Sequence, residues 1–139
     1  MRVSAKVDYA LRATAELAAA QLDPDRSGPL KGERLATAQQ IPLNFLENIL
    51  LELRRSGIVA SQRGAEGGYW LAKPAAEVTI ADVIRAVEGP IATVRGARPE
   101  DVAYTGSATA LREVWIDLRT SMRGVLETTT LADLVERSG

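Results

Sequence analysis

The sequence predicts a mainly α fold that carries one small β-hairpin. Three observations lead to it. Alanine and leucine dominate a 139-residue chain that is 46% hydrophobic and only 4% aromatic, a balance that favours helices. Apolar residues recur at helical spacing in three successive segments of the first half. Two short runs rich in strand formers then flank the glycine cluster GAEGG. The length suits one compact domain, or a small domain with an appendage.

Val7, Ala10, Leu11, Thr14, Leu17, Ala18 and Leu22 fall at i, i+3, i+4 spacing and predict a first helix from about Val3 to Leu22. The breaker DPDRSGPL ends it. Lys31 to Gln39 predicts a second helix, with Leu35, Ala36 and Ala38 available for the core. Ile41-Pro42 interrupts, because proline disfavours helix at the residue before it and suits the first turn of a new one. The third helix, PLNFLENILLELRRSG, places Leu46, Ile49, Leu50 and Leu53 on one face, and Gly57 stops it. IVASQR and GYWLAK are then strands of a hairpin joined through the glycines.

Beyond Pro74, Thr79 is an N-cap with Asp82 three residues on, Val83, Ile84 and Val87 form an apolar stripe, and Gly89-Pro90 ends the helix. Ile91 to Gly106 has no helical period and reads as a loop. A long helix runs from about Ser107 to Thr128. Its Leu111, Trp115, Leu118, Met122 and Val125 alternate at steps of four and three, a short coiled-coil-like seam that needs a partner. Thr130 and Asp133 repeat the capping pattern and open a short terminal helix through Leu134 and Val135. The chain thus divides into residues 1–89, the loop 90–106, and the helical segment 107–139.

The sequence contains no cysteine and no histidine, which removes thiolate and imidazole chemistry: no zinc finger, no Cys-ligated cluster, no Ser-His-Asp or Cys-His nucleophile. The carboxylates form no catalytic constellation, so an enzyme is not expected, and no metal site is expected either. No apolar run approaches the roughly 18 residues that span a bilayer. The N-terminus is amphipathic where a signal peptide would be uniformly apolar. A cytoplasmic protein without a membrane partner is expected. The formal net charge is −1, yet residues 1–74 carry ten Lys/Arg against eight Asp/Glu and residues 75–139 seven against ten.

Three helices followed by a hairpin, all within the first 74 residues, describe a winged helix-turn-helix. In that arrangement the third helix enters the DNA major groove and the hairpin lies along neighbouring backbone or minor groove. Asn44 and Asn48 sit one turn apart near the start of the third helix. Asn pairs bidentately with adenine, and Glu47 accepts from a cytosine amino group. The same three residues equally suit the solvated face of an amphipathic helix. Arg54 and Arg55 either meet phosphates or complement the helix dipole. A nucleotide-binding glycine loop leads from strand to helix, whereas GAEGG leads from strand to strand and lacks the Walker lysine and the dinucleotide spacing. The glycines instead allow positive φ in a tight wing. Arg63 at its base then meets a phosphate or a narrow minor groove, or forms a salt bridge to Glu66.

MRVSAKVDYALRA at the start, IPLNFLENILLELRRSGIVASQRGAEGGYWLAKPAAEVTIADVIRAVEG in the middle and TLADLV near the end resemble the Rrf2 family of bacterial winged-helix transcriptional regulators. The resemblance is densest between Leu35 and Gly89. The pattern L-x-x-L-x-x-x-G-I/L-V-x-S-x-R-G-x-x-G-G-Y, which begins at Leu50, is its most specific part. It implies a homodimeric DNA-binding regulator, a repressor on a palindromic operator, whose long C-terminal helices pair as dimerisation helices. Asn44, Glu47 and Asn48 match base-facing positions, and Arg63 matches the wing arginine.

Several members of that family hold an iron–sulfur cluster through three cysteines in the loop that corresponds to Ile91–Thr109. This chain has none, so no cofactor is expected. Asp8 matches a position from which some members supply a non-cysteine ligand, and reads here as an acid at a helix N-terminus. Arg95, Arg98, Tyr104 and the nearby Trp115 make the loop a candidate effector site for a small molecule or a protein. There, two arginines clamp an anion and aromatics line a pocket. The alternative is a solvated loop at a dimer edge. A second reading of the whole chain is a winged-helix interaction module that docks a metabolic enzyme or another regulator, and the near-neutral charge lends it weight.

Overall fold

The computed structural model describes residues 2–26 and 28–139; Ser27, within the DPDRSGPL breaker, lies outside the described residues. The main elements are α1 (Ala5–Leu22), α2 (Gly32–Gln39), α3 (Leu43–Arg55), β1 (Val59–Gln62), β2 (Gly68–Leu71), α4 (Ile80–Glu88), α5 (Leu111–Leu126) and α6 (Leu131–Ser138). The fold is therefore mainly helical with one hairpin, as the sequence predicts.

Helix α1 begins at Ala5 because Ser4 is extended and its hydroxyl accepts the Val7 amide at 3.1 Å. Val7, Ala10, Ala13, Thr14, Leu17 and Ala18 are buried along one face. The small residues among them let α3, α4, α6 and β2 approach this helix, which becomes the centre of the molecule. Thr14 is buried but satisfied, its hydroxyl donating to the Ala10 carbonyl at 2.9 Å. Two residues expected in the core are outside it. Leu22, in the last turn of α1, and Ala38, near the end of α2, are exposed, since periodicity places a residue on a face but not against a neighbour.

Between α2 and α3, Gln40 adopts the left-handed conformation at φ 54°, and the Ile41 amide donates to the Ala36 carbonyl at 2.9 Å. This turn buries Ile41 and sets the direction of α3, which starts just after Pro42. Leu46, Ile49, Leu50 and Leu53 fasten α3 to the core. The strands pair antiparallel, Val59 with Leu71 through Gln62 with Gly68. A third strand-like segment was not foreseen: Leu30 and Tyr69 exchange both backbone hydrogen bonds, at 2.9 and 2.8 Å, along the free edge of β2.

The 89–110 connection is irregular but packed. It contains 3-10 turns at Pro99–Asp101 and Gly106–Ala108, and it buries Ile91, Pro99 and Val102. The second turn delays α5 to Leu111 from the expected Ser107. No residue of α5 is buried: Leu111, Trp115, Leu118 and Met122 are half-buried, while Val114 and Val125 are 52% and 64% exposed. The sequence groups α6 with α5, yet α6 packs on α1. There Leu131 is fully buried, and its amide donates to the Val78 carbonyl at 2.8 Å.

Both expected caps form as full capping boxes. Thr79 pairs with Asp82, and Thr130 with Asp133 at 2.9 and 3.1 Å. The Thr130 amide, and after it the Thr130 hydroxyl, hold the Asp133 carboxyl below its ordinary range. A carboxyl depressed in the fold stabilises it above the ordinary carboxylate range and loses that contribution as pH falls through the lowered value. Thr130→Ala should cost about 1 kcal/mol. Urea melts at pH 7 check this, and an unchanged midpoint would mean that the box contributes nothing.

Candidate nucleic-acid interface

The start of α2, the exposed side of α3 and the wing surround one cleft of about 550 Å³. Glu47, Asn48 and Arg54 line it from α3, Arg63 and Gln62 from the wing, and Lys31 from the entry to α2. Each position has a local cause. The buried face of α3 is complete with four apolar residues, so Glu47 and Asn48 are left pointing outward. Arg54, in the last turn, donates to the Ser61 hydroxyl at 3.2 Å and so ties the helix end to β1.

The wing turn is built by its glycines in two different ways. Gly64 and Gly68 have φ of 103° and 150°, which L-residues rarely adopt. Gly67 is a matter of space: a β-carbon there would lie 2.0 Å from the Gln62 carbonyl oxygen. The resulting turn carries Arg63 outward. No carboxylate among the described residues lies within ion-pair distance of it, so the Glu66 salt bridge does not form.

The other expected residues distribute as follows. Asn44 is exposed at the start of α3, one turn before the cleft lining, and Arg55 is exposed but outside that lining. Two residues were missed. Lys31 donates to the Gly64 carbonyl at 2.6 Å, bridging the helix pair to the wing turn, and no sequence signal marks it. Phe45 is 59% exposed beside Asn44, an apolar group chemically suited to a thymine methyl. Its signal was available, because the α3 core face is complete without it.

In the 89–110 connection Trp115 Nε1 donates to the Tyr104 hydroxyl at 3.0 Å. The two arginines do not converge: Arg95 lines a small cavity with Trp115 and Leu118, whereas Arg98 lines a separate cleft with Arg85, Arg119 and Arg123. Asp8 lies in the first turn of α1 and pairs with Arg12 at 3.2 Å.

A helical pair with an outward-facing third helix, closed by a wing and lined by Asn, Glu and Arg, defines a winged helix-turn-helix DNA-binding regulator. Residues 3–137 match the profile of the Rrf2 family, described as iron-dependent transcriptional regulators. The chain belongs to this family and is a transcriptional regulator, not an enzyme. It is 52% identical over 135 residues to an HTH-type transcriptional regulator of Mycobacterium tuberculosis, covering 96% of this chain and 81% of that protein. It is 36% identical to CymR of Bacillus subtilis, covering 96% and 89%. Its fold superposes on the solved structure of the B. subtilis global cysteine regulator CymR with a TM-score of 0.82, covering 100% of this chain and 99% of that one at 34% identity. T. potens IscR gives a TM-score of 0.78 at 30% identity, covering 100% and 89%.

The family description names iron, and the donors present do not suit an iron–sulfur cluster. The connection before α5 offers arginines and carboxylates in place of thiolates, and among the described residues no three His, Cys, Asp or Glu side chains converge. Among the described residues no helix is long and apolar enough to cross a membrane.

Proposed function

We propose that the chain is a cytoplasmic, cluster-independent repressor that binds a palindromic operator as a homodimer. The observation that carries this reading is the single cleft in which Glu47 and Asn48 of α3 meet Arg54 and Arg63. In this reading the first two read base edges while the arginines hold phosphates. Asn44 and Phe45 extend the reading surface at the leading end of α3, and Arg55 meets backbone beyond its other end. The exposed Val114 and Val125 on a helix with no buried residue support pairing of α5 with a second copy.

Fluorescence anisotropy against the chain's own upstream DNA and a scrambled duplex, at two salt concentrations, tests this. Arg63→Ala should weaken binding to both duplexes about tenfold and flatten the slope of log affinity against log salt by about 1. Asn48→Ala should remove about 1–3 kcal/mol of preference at one position of each half-site and leave scrambled DNA unaffected. Equal losses on both duplexes for both substitutions would remove the assigned roles. Absence of salt-dependent binding on either duplex would favour the protein-docking module.

A further inference from the structure

The 89–110 connection and α5 enclose a second cleft, of about 500 Å³, that shares no lining residue with the DNA-facing one. Arg85 reaches it from α4, Arg119 and Arg123 from α5, and Arg98 from the connection. Residues 75–139 are acidic overall, yet four of their seven basic residues meet here. Guanidinium groups so gathered repel one another unless counter-charge is supplied. Among the described residues two carboxylates pair with them. Glu127 is shared by Arg85 and Arg123, the latter at 3.8 Å, and Glu100 takes Arg119 at 2.6 Å. Arg98 has no ion-pair partner among the described residues.

The site is also held in place. Arg112 donates twice to the Glu100 carbonyl, at 3.2 Å each, which fixes the Pro99–Asp101 turn behind the cleft. Arg119 is 14% exposed, so its guanidinium is aimed by packing and does not sweep through solvent. The Gly89–Thr93 wall holds Ala92 at φ 58°, a left-handed conformation that a residue with a β-carbon adopts only when its surroundings impose it. The Glu100 carboxyl sits below its ordinary range. Its own backbone amide contributes most, against the opposing effect of burial, followed by Arg119 and then Arg98.

We propose that this cleft binds a small multivalent oxyanion, a phosphate or a di- or tricarboxylate, whose charge balances the two guanidinium groups left uncompensated. Planar guanidinium forks match both chemistries bidentately. Thr93 and Pro99 also line the adjoining apolar cavity that contains Trp115, so an occupant perturbs that indole. The proposal is independent of the operator reading, because binding is measured without DNA.

The test is isothermal titration of the full chain with inorganic phosphate and, separately, citrate, against sodium chloride at matched ionic strength, with tryptophan emission recorded in parallel. Saturable binding of one anion per chain, with a dissociation constant below about 1 mM, is expected for at least one of the two. Which one binds identifies phosphate or carboxylate as the source. Arg98→Gln and Arg123→Gln should each weaken it at least about tenfold without altering the ligand-free melting temperature, and Arg63→Gln should leave it unchanged. Heats no larger than those of chloride for both anions would overturn the proposal. So would loss in Arg63→Gln with retention in Arg98→Gln, which would move the anion to the DNA-facing cleft.

Discussion

Gly68→Ala should unpair the wing and lower the free energy of unfolding by about 3–4 kcal/mol. Two independent effects combine there. The residue sits at φ 150°, and an added β-carbon would lie 2.6 Å from the Leu30 carbonyl oxygen and 2.7 Å from its carbon. Both obstacles are backbone and have no rotamer by which to retreat. Relief requires separating Leu30 from β2, which forfeits the two hydrogen bonds exchanged with Tyr69, each worth about 1 kcal/mol. Gly57 is the control. It has φ 83° but open space around its α-carbon, so Gly57→Ala should cost only about 1–2 kcal/mol. Urea melts measure the difference, and amide hydrogen exchange at Leu30 and Tyr69 locates it. A Gly68→Ala variant as stable as Gly57→Ala would show that the Leu30 strand does not back the wing. The same substitution should weaken DNA binding much as Arg63→Ala does, because Arg63 is aimed by the turn that Gly68 closes.

Leu131→Ala should cost about 3 kcal/mol, within the range for a fully buried leucine whose cavity collapses only in part. Leu131 brings α6 back onto α1. Its neighbours share that seam, with the Ile80 amide donating to the Thr129 carbonyl at 2.9 Å and the Leu131 amide to the Val78 carbonyl at 2.8 Å. Val135→Ala, at a half-buried position on the same helix, should cost about a third as much. Denaturant unfolding of both variants checks the ratio. Equal and small losses would mean that α6 is not part of the cooperative core.

Much of this was legible in the chain because its signals are short-range. Thr79 with Asp82 and Thr130 with Asp133 announce two helix starts at a spacing of three, and both boxes form. The apolar period of α3 predicts its buried face without error and leaves Glu47 and Asn48 outward. The same reasoning misplaced Leu22 and Ala38, which are exposed in the last turns of α1 and α2, off the centre of the faces that Leu17 with Ala18 and Leu35 with Ala36 bury. It missed Leu30, because a single paired residue has no period to detect. It paired Arg95 with Arg98 by proximity in sequence, whereas Arg98 meets arginines from α4 and α5 instead.

The order of the main elements, the two capping boxes, the glycine wing, the outward residues of the third helix and the absence of any thiolate or imidazole all follow from the chain read locally. These depend on periodicity, φ preference and composition, which act within a few residues. What backs the wing, the closure of α6 over α1 and the meeting of Arg85, Arg98, Arg119 and Arg123 at one cleft emerge from the folded chain alone. Those outcomes require segments far apart in the chain to meet. Their partners are selected by shared burial and by the path of the connecting loops, and no local pattern encodes either.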